Sequence, residues 1–160
     1  MARLSRHEYY LQMLALVASR GTCARRQVAA ILTDTEGRIL ATGYNGPPSG
    51  YPHCRDHIPC PGALDPAGDT AHCVAIHAEQ NAIVQAGLSG NLARAAILYC
   101  TCSPCLNCAK LLCSLPHLRD VYCLERYADA TGLELLRRRQ ILTRLRVSED
   151  IYVELKGELP

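Results

Sequence analysis

The sequence predicts an α/β sandwich, a sheet with helices packed on both faces. Segments with apolar side chains at helical spacing alternate along the chain with short apolar runs of strand length. No internal repeat interrupts this alternation. With 160 residues, the chain also suits one continuous core, so residues 1–160 read as one domain.

The elements follow in order. Residues 5–19, SRHEYYLQMLALVAS, predict the first helix. QVAAILTD and TEGRILATGY then predict two short strands around a turn at Glu36-Gly37. The next stretch, NGPPSGYPHCRDHIPCPGALDPAGDT, is rich in Pro, Gly and Asp and too long for an ordinary connection. It predicts a functional loop inserted at about 45–75, and not a linker, because too little chain precedes it to fold alone.

Beyond the loop, HAEQNAIVQAG predicts a helix, ARAAILYCT a buried strand and PCLNCAKLLCSL a second helix. RDVYCL is a further strand, DATGLELLRRR a further helix, and QILTRLRV a last apolar run. In the tail, 149–160, IYVEL reads either as an added strand or as an ordered surface segment. With no Phe or Trp, the core falls to Leu, Ile, Val and Ala.

Composition narrows the function. At 49% hydrophobic and 20% charged the chain is globular. Its formal charge of +2 is too small for an electrostatic nucleic-acid surface, so no polynucleotide partner is expected. No apolar run has membrane-spanning length, and the opening MARLSRHEYY lacks the apolar stretch of a secretory signal. A cytoplasmic location and no membrane partner are the expectation.

Ten cysteines in such a chain point to metal ligation before disulfides. Cys100, Cys113 and Cys123 lie in or beside apolar segments and read as small buried hydrophobes. Cys105 and Cys108 form a CxxC after Pro104, and Cys23, Cys54, Cys60 and Cys73 lie upstream near turns. Those six are the candidate ligands.

Two short motifs carry the chemistry. His77-Ala78-Glu79 opens one helix and Pro104-Cys105-Leu106-Asn107-Cys108 another. Zinc takes four tetrahedral ligands, and catalytic sites leave one position to water; His77, Cys105 and Cys108 supply three. Positive helix ends favour the two thiolates. Glu79, two residues beyond the histidine, is the candidate general acid-base, taking a proton from water and delivering it to a base. A lone CxxC could be half a structural zinc site or a redox pair, and a lone HxE occurs by chance. Together, in this order, they form the signature of zinc nucleobase deaminases.

Gly43-Tyr44-Asn45-Gly46, the helix opening HAEQNAI and SPCLNCAK together resemble deoxycytidylate (dCMP) deaminases of the bacterial and phage type, within the cytidine deaminase superfamily. The resemblance runs from residue 7 to about 145. It implies a three-layer α/β/α sandwich on a five-stranded mixed sheet, and hydrolysis of dCMP to dUMP and ammonia, feeding thymidylate synthesis. It also implies a homohexamer. By the same resemblance Asn45 contacts the sugar, the Ala78 amide holds the ring carbonyl, and Tyr127 lies near the base. Asn45 also reads as a turn residue, and Tyr127 as a half-buried aromatic at a helix entry.

A second, structural Zn2+ is implied between the inserted loop and the end of the first helix. Cys23 and Cys54 fall where its ligands are expected, with Cys60, His72 and Cys73 competing for the remaining places; free or buried thiols are the alternative. The stretch VQAGLSGN has no Lys or Arg where some relatives carry one for the phosphate. Arg25 and Arg26 are the candidates for that role, set against solvated charge at a turn. The resemblance further suggests activation by dCTP and inhibition by dTTP, with Mg2+, through Asn45, Gly46 and Ser49.

Two other classes stay open. One is another deaminase of the superfamily, acting on cytidine, guanine or a tRNA base, the last disfavoured by the near-neutral charge. The other is a non-catalytic zinc-binding module, disfavoured because the motif offers three ligands where a structural site closes with four.

Overall fold

A computed structural model describes residues 3–56, 60–64 and 73–155. Helix α1 (Arg6–Ala18) is followed by strands β1 (Ala29–Thr33) and β2 (Ile39–Tyr44) and the short helix α2 (Pro61–Leu64). Then come α3 (Ala78–Leu88), β3 (Ile97–Cys102), α4 (Leu106–Leu112), β4 (Asp120–Glu125), α5 (Thr131–Arg138), β5 (Leu142–Ser148) and β6 (Ile151–Glu154). The sheet is mixed, in the order β2-β1-β3-β4-β5-β6. Strands β3, β4 and β5 run parallel, while β1 is antiparallel to both of its neighbours.

The α/β sandwich follows from which faces are apolar. Ser5 caps α1 by accepting the Glu8 amide, and the helix turns Tyr10, Leu11, Leu14 and Ala18 onto the sheet. There they meet Ala29, Ile31, Tyr99 and Tyr122. On the opposite face, Ala78, Ala82 and Ala86 of α3, Ala109 and Leu112 of α4, and Leu136 of α5 pack against Leu32, Leu98, Cys100, Val121 and Cys123. Every residue of β1 is buried, which is why AAILT carries no polar alternation. No helix among the described residues is long and apolar enough to cross a membrane.

The sheet has six strands, one more than the five the resemblance implies. The added strand is part of the ambiguous tail: β6 pairs antiparallel with β5, Leu145 opposite Val153 and Arg146 opposite Tyr152. Asp150 makes the turn with φ 56°, a left-handed conformation that aspartate tolerates. Glu8, buried in α1, secures the hairpin. Its carboxylate accepts from the Arg146 Nε–H at 2.8 and 2.9 Å, the Asp150 amide at 3.0 Å and the Tyr152 hydroxyl at 2.9 Å.

The inserted loop is closed at its base. Gly46 and Ile76 exchange both backbone hydrogen bonds, at 3.2 and 2.8 Å, so the loop leaves and rejoins the fold at one point. That point is one residue before His77.

Candidate metal centre and active site

Both ligand motifs lie at helix starts. His77 is the N-cap of α3 and Cys105 the N-cap of α4, each with extended backbone, and Cys108 follows buried in the first turn. Gln80 secures the first start by accepting the His77 amide at 3.0 Å. Gly132 of α5 secures the second. A Cβ built there would stand 2.3 Å from the Pro104 carbonyl oxygen, so α5 lies directly against the turn that presents Cys105.

His77 Nδ1 is 3.5 Å from Cys105 Sγ and 3.4 Å from Cys108 Sγ, and the three ligand atoms lie within 4.8 Å of one another. Tetrahedral zinc with ordinary Zn–N and Zn–S bonds sets an N···S edge of about 3.6 Å. The three donors therefore fit zinc in spacing and in chemical type, and they leave one position of the tetrahedron to another ligand.

The electrostatics match a cation site. The hydrogen bond with Cys108 draws the Cys105 thiol down to about 4, with the His77 ring assisting. The Cys108 thiol is pushed up, first by that same partnership and then by burial. In effect the pair holds one proton where a metal would take its place. His77 is raised, chiefly by its hydrogen bond with Cys105. Glu79 is only 4% exposed, and burial pushes its carboxyl up. A carboxyl whose pKa burial raises, with a metal site beside it, can both accept and return a proton.

Beside this centre is a cavity of about 120 Å³. Its floor carries His77, Ala78, Glu79 and Cys105, and Arg26, Asn45 and Tyr127 line it as well. Asn45 is buried and bridges two backbone groups: Oδ1 accepts the Val28 amide at 2.9 Å and Nδ2 donates to the Arg26 carbonyl at 2.7 Å. It shapes the wall as well as facing the cavity. Tyr127 lies in the connection from β4 to α5 and not at a helix entry, and its amide donates to Ser103 Oγ at 2.8 Å.

The two candidate arginines part company. Arg26 lines the cavity, with Nη1 donating to Cys102 Sγ at 3.8 Å and Nη2 paired with Glu125. Arg25 does not line it; its Nη1 donates to the Gly62 carbonyl at 3.2 Å, in the inserted loop. Gly46 is buried with its backbone engaged by Ile76, and Ser49 is exposed in a turn away from the cavity.

Cys54 is buried. Burial pushes its thiol up, and the neighbouring Cys60, Cys23 and Cys73 thiols push the same way. Cys23, Cys60 and Cys73 thus each lie near enough to Cys54 to act on it, but among the described residues only His77, Cys105 and Cys108 form a group with metal-ligand spacing. His72 lies outside the described residues. Cys100 and Cys123 are fully buried, and Cys113 is partly so.

Val28, Cys102 and Ser103 also line the cavity, and sequence reasoning missed them. Cys102 and Ser103 carried a usable signal, since they stand where a buried strand runs into the Pro-Cys motif. Val28 carried none, because Asn45, just beyond the end of β2, places it through its side chain.

A metal centre built on two helix starts beside a sheet, with a carboxyl sealed next to it, defines the class of zinc-dependent base deaminases. The chain belongs to the cytidine and deoxycytidylate deaminase family, whose zinc-binding region it matches over residues 4–125. Deoxycytidylate deaminase of Schizosaccharomyces pombe is 35% identical over 136 residues, covering 84% of this chain and 42% of the yeast protein. Deoxycytidylate deaminase of Mycobacterium phage D29 is 34% identical over 127 residues, covering 76% of this chain and 97% of the phage protein. The chain spans about half the length of the curated yeast relatives it matches. The crystal structure of dCMP deaminase from cyanophage S-TIM5 in complex with dCMP and dUMP superposes with a TM-score of 0.74 at 28% identity, covering 91% of this chain and 100% of that one.

Proposed function

We propose that this chain hydrolyses dCMP to dUMP and ammonia, with His77, Cys105 and Cys108 as zinc ligands and Glu79 as the catalytic acid-base. The observation that carries the reading is Glu79, sealed beside a three-donor metal site on the floor of a cavity whose wall holds Arg26. The likeness to a phage deoxycytidylate deaminase over 97% of its length supports the substrate. One six-stranded sheet flanked by both ligand helices supports reading residues 1–160 as one deaminase domain.

When bound, zinc supplies the Lewis acidity that makes water a nucleophile near neutral pH. The Ala78 amide, in the first turn of α3, has no partner within the helix and can donate to the ring carbonyl. Asn45 and Tyr127 face the cavity where sugar and base would lie. Glu79 takes one proton from the attacking water and passes it to ring N3 as the C4–O bond forms. It then takes the remaining proton from the new C4 hydroxyl and delivers it to the amine as the C4–N bond breaks, leaving the C4 carbonyl and ammonia. Arg26 receives the phosphate, its fork suited to two oxygens.

A second, structural zinc, on four of Cys23, Cys54, Cys60, His72 and Cys73, belongs to the same proposal. What supports it is that the Cys23, Cys60 and Cys73 thiols each lie near enough to Cys54 to raise its thiol. A homohexamer, and control by dCTP and dTTP with Mg2+, rest on the sequence resemblance alone.

Ammonia release from dCMP, deoxycytidine, cytidine and guanine, measured side by side, tests the substrate. Turnover of dCMP far above the others is expected. Preference for an unphosphorylated substrate would keep the zinc and Glu79 chemistry and overturn the nucleotide assignment.

A further inference from the structure

We propose that Glu125 restrains the preference for a phosphorylated substrate: its carboxylate holds the Arg26 guanidinium and competes with the substrate phosphate for it. This rests on the reading of Arg26 as the phosphate ligand.

The two ends of Arg26 are held very differently. Its backbone is pinned, the carbonyl accepting from Asn45 Nδ2 at 2.7 Å while Asn45 also takes the Val28 amide. Its guanidinium is held by side chains alone, through the ion pair of Nη2 with Glu125 and a long contact of Nη1 to Cys102 Sγ at 3.8 Å, a weak acceptor. The anchor stays and the cationic end can turn.

Glu125 is built to hold and release. It ends β4 opposite Cys102, and its carbonyl accepts the Ser103 amide at 2.8 Å, so its backbone is fixed beside the cavity wall. The side chains of Arg26 and Glu125 are 45% and 64% exposed, and an ion pair so hydrated is weak and reversible. A phosphate offers more charge and a matching pair of oxygens. It can displace the carboxylate, whereas a nucleoside cannot and leaves the pair closed.

Arg26 and Glu125 thus form a receptor that is cationic only to a ligand able to open it. Glu125 weakens phosphate binding twice over, by occupying the guanidinium and by its own negative charge near the incoming anion.

The test compares Glu125→Gln and Arg26→Gln with the parent, each zinc-loaded, using dCMP and deoxycytidine as substrates and inorganic phosphate as a competitive inhibitor. In Glu125→Gln the KM for dCMP and the inhibition constant of phosphate should each fall roughly two- to fivefold, the strength of an exposed ion pair, and the preference for dCMP over deoxycytidine should rise to match. A KM for dCMP that stays or rises, or equal shifts for both substrates, would overturn the role of Glu125. Arg26→Gln should abolish most of the preference. If it does while Glu125→Gln changes nothing, Glu125 alone is misassigned; if the preference survives Arg26→Gln, the phosphate reading falls and this proposal with it.

Discussion

Gly43 of β2 lies directly against the start of α3: a Cβ built there would stand 2.2 Å from the Ala78 carbonyl oxygen and 2.4 Å from the Ala82 nitrogen. Backbone faces backbone at this contact, with no flexible side chain to yield. The seat of His77 and Glu79 therefore depends on a missing side chain in a neighbouring strand. Gly43→Ala should push α3 off the sheet, at a cost of about 1–3 kcal/mol in stability. Zinc retention should fall with it. Urea unfolding and metal content after dialysis check this; a stable variant with full zinc would show that α3 is seated by other contacts.

Asn45 invites a test that separates shaping from contact. Asn45→Ala removes the partner of two backbone groups, the Val28 amide and the Arg26 carbonyl, and should cost about 1–3 kcal/mol. Because residues 26–28 then lose their hold, the KM for dCMP should rise as well. A loss of kcat with neither effect would make Asn45 a contact for the reacting substrate alone.

Glu8 ties stability to pH. Its carboxyl is held below the ordinary range chiefly by the hydrogen bond from Arg146, helped by the Asp150 amide and Tyr152. A carboxylate whose folded pKa is depressed stabilises the fold above its unfolded pKa, about 4.3, and that contribution drains away as pH falls from there through the folded value. Glu8→Gln should be less stable than the parent by about 2 kcal/mol near neutrality, the scale of hydrogen bonds to a charged group. The gap should narrow below about pH 4.3. Urea titrations at pH 7 and in acid measure it, and a gap that does not change with pH would show that Glu8 acts through packing.

Metal content distinguishes the two proposed zinc sites. The parent should carry two zinc ions per chain, Cys105→Ala should lose one together with activity, and Cys54→Ala should lose the other. One zinc in the parent would remove the structural site.

The grouping of His77, Cys105 and Cys108 was legible because His77 and Cys105 are helix N-caps and Cys108 lies in the first turn, so one short pattern states both the local structure and the candidate chemistry. The alternation of elements was legible because helices and strands alike present apolar runs to the core, although the α1 face is built around Tyr10, Tyr99 and Tyr122 and not on Leu, Ile, Val and Ala alone. What escaped depends on distant partners. IYVEL is too short to declare itself a strand, and its pairing is secured by Glu8, 144 residues from Tyr152. Arg25 and Arg26 are adjacent and chemically alike, and only the folded chain sends one to Gly62 and the other to the cavity. Gly43 showed only that a glycine ends a strand pattern, since the helix it accommodates begins beyond the inserted loop.

The most direct test of the central claim is Glu79→Gln, read out as zinc content and as ammonia release from dCMP on the same sample. The buried carboxyl is assigned to proton transfer and not to the metal, so zinc should stay at the parent level while the rate falls by about 100-fold or more. Retention of the parent rate would contradict the account, and loss of zinc would place Glu79 among the ligands.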